Sequence, residues 1–220
     1  KDLGKKAWPV VRASLEKIAA LKEPNTGTLE LAEDLLLCVP FVGDESAGHV
    51  DLKYLRSNYS GICRAATAAI VNLWGDRARP VLVAMVQSKE DMVRVAGIAG
   101  LRQLGAIDEH LVPRLHAILT RRVPAGEEVR AAAAVALGHV AETAKQPAVS
   151  LLAQLVTPPR DGPPESARSP GVLSKQDAVL IALARSLLTI GGKPYRGLVA
   201  ERAEKSPEPL RAQLRGLLAQ

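Results

Sequence analysis

The side chains best suited to chemistry are few in this chain of 220 residues. There are four histidines, His49, His110, His116 and His139, and two cysteines, Cys38 and Cys63. Two imidazoles meet one metal on a helix face when they stand four residues apart. No pair here has that spacing, and neither cysteine is near a histidine in sequence. "GVLSKQ" (171–176) sets Ser174 beside Lys175, but no companion motif accompanies it, and Ser174 reads as a helix cap. The Gly-rich pattern of a phosphate loop does not occur. "GDESAGHVD" (43–51) is acidic without the spacing of a calcium loop and reads as a connection. These residues predict no catalytic residue, no metal and no cofactor.

A column of arginines is more informative, because it recurs within a longer pattern. "CRAATAAIVNLWG" (63–75), "VRVAGIAGLRQLG" (93–105) and "VRAAAAVALGHVA" (129–141) superpose without gaps. With Arg64, Arg94 and Arg130 as position zero, Cys63, Val93 and Val129 stand just before it, and Val71, Leu101 and Leu137 stand at +7. Weaker copies follow the same ruler. "LAEDLLLCVPFVG" (31–43) puts Leu31 and Val39 at those places, with Ala32 for the arginine. "VLIALARSLLTIGG" (179–192) offers Val179 and Leu187, with Leu180 for the arginine, and "LRAQLRGLLAQ" restores it as Arg211. The closing positions 43, 75, 105, 141 and 191 are 32, 30, 36 and 50 residues apart, which is the range of stacked repeats.

Shorter amphipathic stretches lie between the copies at 79–88, 109–122, 147–156 and 194–205, and 7–21 opens the series. Pro80, Pro147 and Pro194 fall where a helix's first turn tolerates a missing N–H, and the closing glycines suit the left-handed residue that ends a helix. The unit is therefore helix, turn, helix. The second outer helix, within 46–58, carries the weakest pattern. Positions −1, +3, +7 and +10 share the face turned to the paired helix, so Leu101 and Leu137 should be buried. Flanking alanines such as Ala66, Ala96, Ala132 and Ala134 act as spacers that let neighbouring helices approach closely.

Composition agrees with thin layers. Hydrophobic residues make up 47% of the chain and aromatics only 3%, so leucine, valine, isoleucine and alanine must build the core. Net charge is +6, with both signs scattered, and no stretch is apolar enough to span a membrane. Cys63 takes the place of Val93 and Val129 and reads as a core thiol. Cys38, at +6 of the first copy, is offset from it by seven helix positions, or about 10 Å along parallel neighbours. A disulfide spans only about 4.4–6.8 Å between Cα atoms, so two free thiols are expected.

The pattern V-R-x-A-A-x-x-A-L-x-x-[IVL]-G, matched best by Val93–Gly105 and Val129–Ala141, resembles HEAT-repeat proteins, particularly the short bacterial repeats of the phycobilisome lyase-like type. The resemblance implies an all-α, right-handed α-solenoid of about six HEAT-like helix pairs, one domain over 1–220. It also implies that the second helices line a concave face, where Ala69, Asn72, Ala99, Arg102, Val135 and Arg185 would form a smooth, unreactive floor for a protein partner. The expected function is a non-catalytic interaction scaffold. Two other readings stay open, a nucleic-acid-binding protein of the DNA-glycosylase-like kind and a bilin-lyase-like enzyme. Nucleic acid needs a clustered basic surface, whereas the floor offers only Arg102 and Arg185 as cations.

Arg64, Arg94, Arg130 and Arg211 read as a structural ladder. Asp91 and Glu127 precede Arg94 and Arg130 by three, the spacing of helical ion pairs, and in this family such arginines bond the preceding turn. The segment 157–175 holds five prolines in nineteen residues and accounts for the one long interval as a loop insertion, dispensable for folding, with Ser166 and Ser169 as its modifiable side chains. The last copy stops at Gln220 before its closing glycine, and the chain opens at Lys1, so a piece of a longer protein is expected. Compartment stays open, with cytoplasmic the first expectation and periplasmic the second should an upstream signal have been removed.

Overall fold

The computed structural model describes residues 2–21, 23–43, 46–157 and 173–220, with the side chains of 2–5 and 50 outside that set. Ser166 and Ser169 lie outside the described residues, as does most of the 157–175 insertion. Among the described residues the chain is helical and contains no strand. It packs as two compact units, Lys1–Leu104 and Gly105–Gln220.

The first unit holds α1 (Asp2–Ala19), α2 (Thr26–Val42), α3 (Ala47–Asp51), α4 (Ser60–Trp74), α5 (Arg79–Val86) and α6 (Asp91–Gln103). Helices α1 and α2, α3 and α4, and α5 and α6 pack as pairs, and α4 lies between α2 and α6. The second unit holds α7 (Val112–Leu119), α8 (Glu127–Leu137), α9 (Lys145–Val156), α10 (Lys175–Gly191), α11 (Arg196–Glu204) and α12 (Leu210–Ala219). It repeats the pairing, with α10 against both α8 and α12.

Local chemistry explains where these helices start and stop. The Asn25 side chain accepts the Thr28 N–H at 2.9 Å to cap α2. Ser174 and Asp177 form a reciprocal capping box on α10, so Ser174 is the cap that its sequence context predicts. Gly75, Gly105 and Gly192 take positive φ of 53°, 64° and 70°, a conformation that costs glycine little and other residues more. In the fifth copy it is thus Gly192, rather than Gly191, that turns the chain. The weakly patterned second outer helix is short: α3 spans five residues and passes into a 3₁₀ turn at Leu52–Tyr54.

The predicted helical phase holds in the middle copies. Cys63, Val93, Val129 and Val179 are buried at −1, and Val71, Leu101, Leu137 and Leu187 at +7. The first copy keeps it at +7, where Val39 is buried, and departs from it at −1. Leu31 is 50% exposed, while Ala32, Leu36 and Val39 face inward. The last copy shifts too, burying Leu217 rather than Leu218. Small residues serve as spacers where helices meet. A Cβ on Gly138 would lie 2.8 Å from Ser186 Cβ, so α8 and α10 touch nearly backbone to backbone. A Cβ on Gly97 would lie 2.7 Å from Met85 Cβ, which sets α6 equally close to α5. Cys38 is exposed and Cys63 buried, and both thiols are free. The Cys63 thiol donates to the Leu55 carbonyl at 3.0 Å, and burial pushes its pKa up to about 11.

Candidate interaction surface

The ladder arginines have distinct environments. Arg94 is buried and pairs with Asp91 on its own helix. The Arg130 guanidinium donates to both Glu127 carboxylate oxygens, at 2.8 and 2.7 Å, and to the Leu119 carbonyl at 3.3 Å. Arg211 donates to the Ser206 carbonyl at 3.1 Å and the Glu204 carbonyl at 3.4 Å. Arg130 and Arg211 therefore satisfy carbonyls left open where the preceding helices, α7 and α11, end. Arg64 does not join them. It is exposed, and the residue three before it is Gly61, which supplies no carboxylate. Arg94, Arg130 and Arg211 are each held by local partners within their own unit.

The six residues expected on the partner-facing stripe also divide. In the first unit Asn72 and Arg102 are exposed and Ala99 is half-buried. The Gln103 amide donates to Asn72 Oδ1 at 3.4 Å, linking the exposed sides of α4 and α6. Ala69 must be withdrawn from the stripe, because only 1% of it is accessible. Helix α4 is packed by α2 on one flank and α6 on the other, and a methyl group is too short to emerge between them. In the second unit Val135 is half-buried and Arg185 exposed.

Arg185 has neighbours that the repeat pattern does not reveal. It lines a cavity of about 300 Å³ with Leu188 and Thr189 on α10, Lys193 and Arg196 after it, and Leu217 on α12. Arg185, Lys193 and Arg196 are all exposed, and no acidic side chain lines the cavity. The only signal in sequence is the charge of "GGKPYR", which as a linear string shows no proximity to Arg185. A larger cleft of about 640 Å³ opens in the first unit between the 3₁₀ turn after α3 and helix α5. Its rim mixes Arg56 and Lys89 with Glu90, so its charge selects no partner.

No family model matches the chain, and no curated protein matches it.

Two further polar groups carry no signal in the sequence pattern. Asp51, the last residue of α3, is fully buried, and neither of its carboxylate oxygens has a hydrogen-bond partner. Burial pushes its pKa up to about 7. Close by, the Tyr54 hydroxyl donates to the Leu15 carbonyl. Burial first, and the Asp51 charge to a lesser degree, raise the Tyr54 pKa to about 12. His49 sits edge-on to Trp74 at 5.4 Å, and His139 Nδ1 is 2.9 Å from the Val135 carbonyl, four residues earlier. Among the described residues no group of three or more metal-ligating side chains gathers, and no helix is long and apolar enough to cross a membrane.

Proposed function

We propose that the chain is a non-catalytic protein-interaction scaffold, a right-handed α-solenoid of HEAT-like helix pairs that holds a protein partner on the exposed sides of its second helices. The observation that supports this reading is the side-by-side packing of second helices within each unit, α4 beside α6 and α8 beside α10. Small residues at these contacts leave a shallow surface between neighbouring helices. It carries Asn72, Ala99, Arg102 and Gln103 in the first unit, and Val135 and Arg185 in the second. Such a surface accepts a helix or an extended segment without obstruction by bulky side chains.

The test is capture of the partner by the tagged full chain, quantified by mass spectrometry. Ala99→Glu and Val135→Glu should retain helicity, since neither position is fully buried. Each should nevertheless lower capture by about tenfold or more, because a long charged side chain on a surface of small residues obstructs the partner and must be desolvated beneath it. Gln146→Glu, an exposed change on α9, should leave capture unaltered. Folded stripe variants that capture as well as the unaltered chain overturn the reading.

A further inference from the structure

We infer that the cavity beside the end of α10 binds an acidic, extended segment of a protein partner. This inference rests on the scaffold reading and adds the chemistry of what is recognised. Arg185, Lys193 and Arg196 line the cavity and form no hydrogen bond or ion pair through their side chains among the described residues. Several other cations of the same unit are matched, Arg130 with Glu127, Lys145 with Glu142, Lys205 with Glu201 and Arg215 with Glu204, whereas at this cavity three unmatched cations meet. Three like charges with no acidic side chain among them repel one another, and an anionic ligand relieves that repulsion.

The layout favours an extended ligand over a compact ion. Arg185 lies six residues before the end of α10 at Gly191, about 9 Å along the helix axis, whereas Lys193 and Arg196 follow that end. Their attachment points are therefore spread along the backbone beside the cavity. Carboxylates spaced along a peptide meet them separately. Leu188 and Leu217 between the cations offer an apolar floor for an aliphatic side chain, so the best-fitting segment alternates acidic residues with leucine or a similar residue. Exposed charges act through solvent, and their attraction falls within a Debye length of about 8 Å at physiological salt. Binding should therefore be moderate and strongly salt-dependent.

The experiment is fluorescence anisotropy on the full chain with three labelled probes. These are a twelve-residue peptide of repeated Leu-Glu-Glu, the same peptide with glutamine for every glutamate, and a twelve-nucleotide single-stranded DNA. The glutamate peptide should bind, weaken several-fold from 50 to 300 mM salt, and exceed the glutamine peptide by about tenfold or more. Arg185→Glu combined with Arg196→Glu should weaken it about tenfold or more while leaving the circular dichroism spectrum unchanged. Equal affinity for the two peptides, or unaltered glutamate-peptide affinity in the folded double variant, overturns the inference. So does tighter binding of the DNA, which would make the cavity a nucleic-acid contact. Partner capture by the stripe variants reports on the scaffold reading separately: loss of capture there with no peptide binding here removes only the acidic-segment inference.

Discussion

Truncating Leu101 to alanine is expected to destabilise the first unit by about 2–5 kcal/mol. Leu101 is 1% exposed and lies on α6, which packs against both α4 and α5. The site has little freedom to collapse after truncation. The neighbouring Gly100 already lies so close to Leu82 and Thr67 that a Cβ there would sit 2.7 and 2.8 Å from their side chains. Both tryptophans, Trp8 and Trp74, belong to this unit, so tryptophan fluorescence during urea unfolding reads its stability. A loss below about 1 kcal/mol would mean that α6 does not present Leu101 to the core.

The second large effect concerns Asp51 and pH. The folded chain holds the Asp51 proton up to about pH 7, against an ordinary aspartate value of 3.8. Folding therefore favours the protonated form. The associated stability is fully present below about pH 3.8 and lost as pH rises through about 7. Across that window the loss is roughly 4 kcal/mol, of which about 2–3 kcal/mol falls between pH 5 and pH 8. Asp51→Asn removes the ionisation and leaves an amide of similar size. It should flatten this part of the profile and stabilise the first unit at pH 8 by on the order of 2 kcal/mol, net of the amide's own desolvation. Urea midpoints at pH 5 and pH 8, followed by tryptophan fluorescence, measure both effects. Identical pH profiles for the unaltered chain and Asp51→Asn would contradict the burial of an unpartnered carboxyl.

Most of the helices are legible in sequence because a 3.6-residue period survives in the repeated segments. Val93, Val129, Leu101 and Leu137 occupy the buried places that the period assigns them. The arginine pairs with Asp91 and Glu127 are equally readable, since they depend only on spacing within one helix. The departures share a cause. Alignment to the repeat assigns Leu31 and Ala69 their faces, but their exposure depends on which helices flank them. Helix α2 turns its Leu31 side outward, whereas α4 is enclosed by α2 and α6. Asp51 ends a helix too short to show a period, so nothing in its sequence context marks it as interior. The cavity at Arg185 combines residues from α10, α11 and α12, and no linear spacing encodes that meeting.

The most direct measurement of the scaffold reading places a photo-cross-linking amino acid at Arg102 or Asn72, both exposed on second helices, and at Gln146 on α9 as the reference. Irradiation of the full chain with its captured partner should give covalent adducts from positions 102 and 72 and none from 146. Adducts from 146 alone, with 102 and 72 silent, would contradict binding on the exposed sides of the second helices.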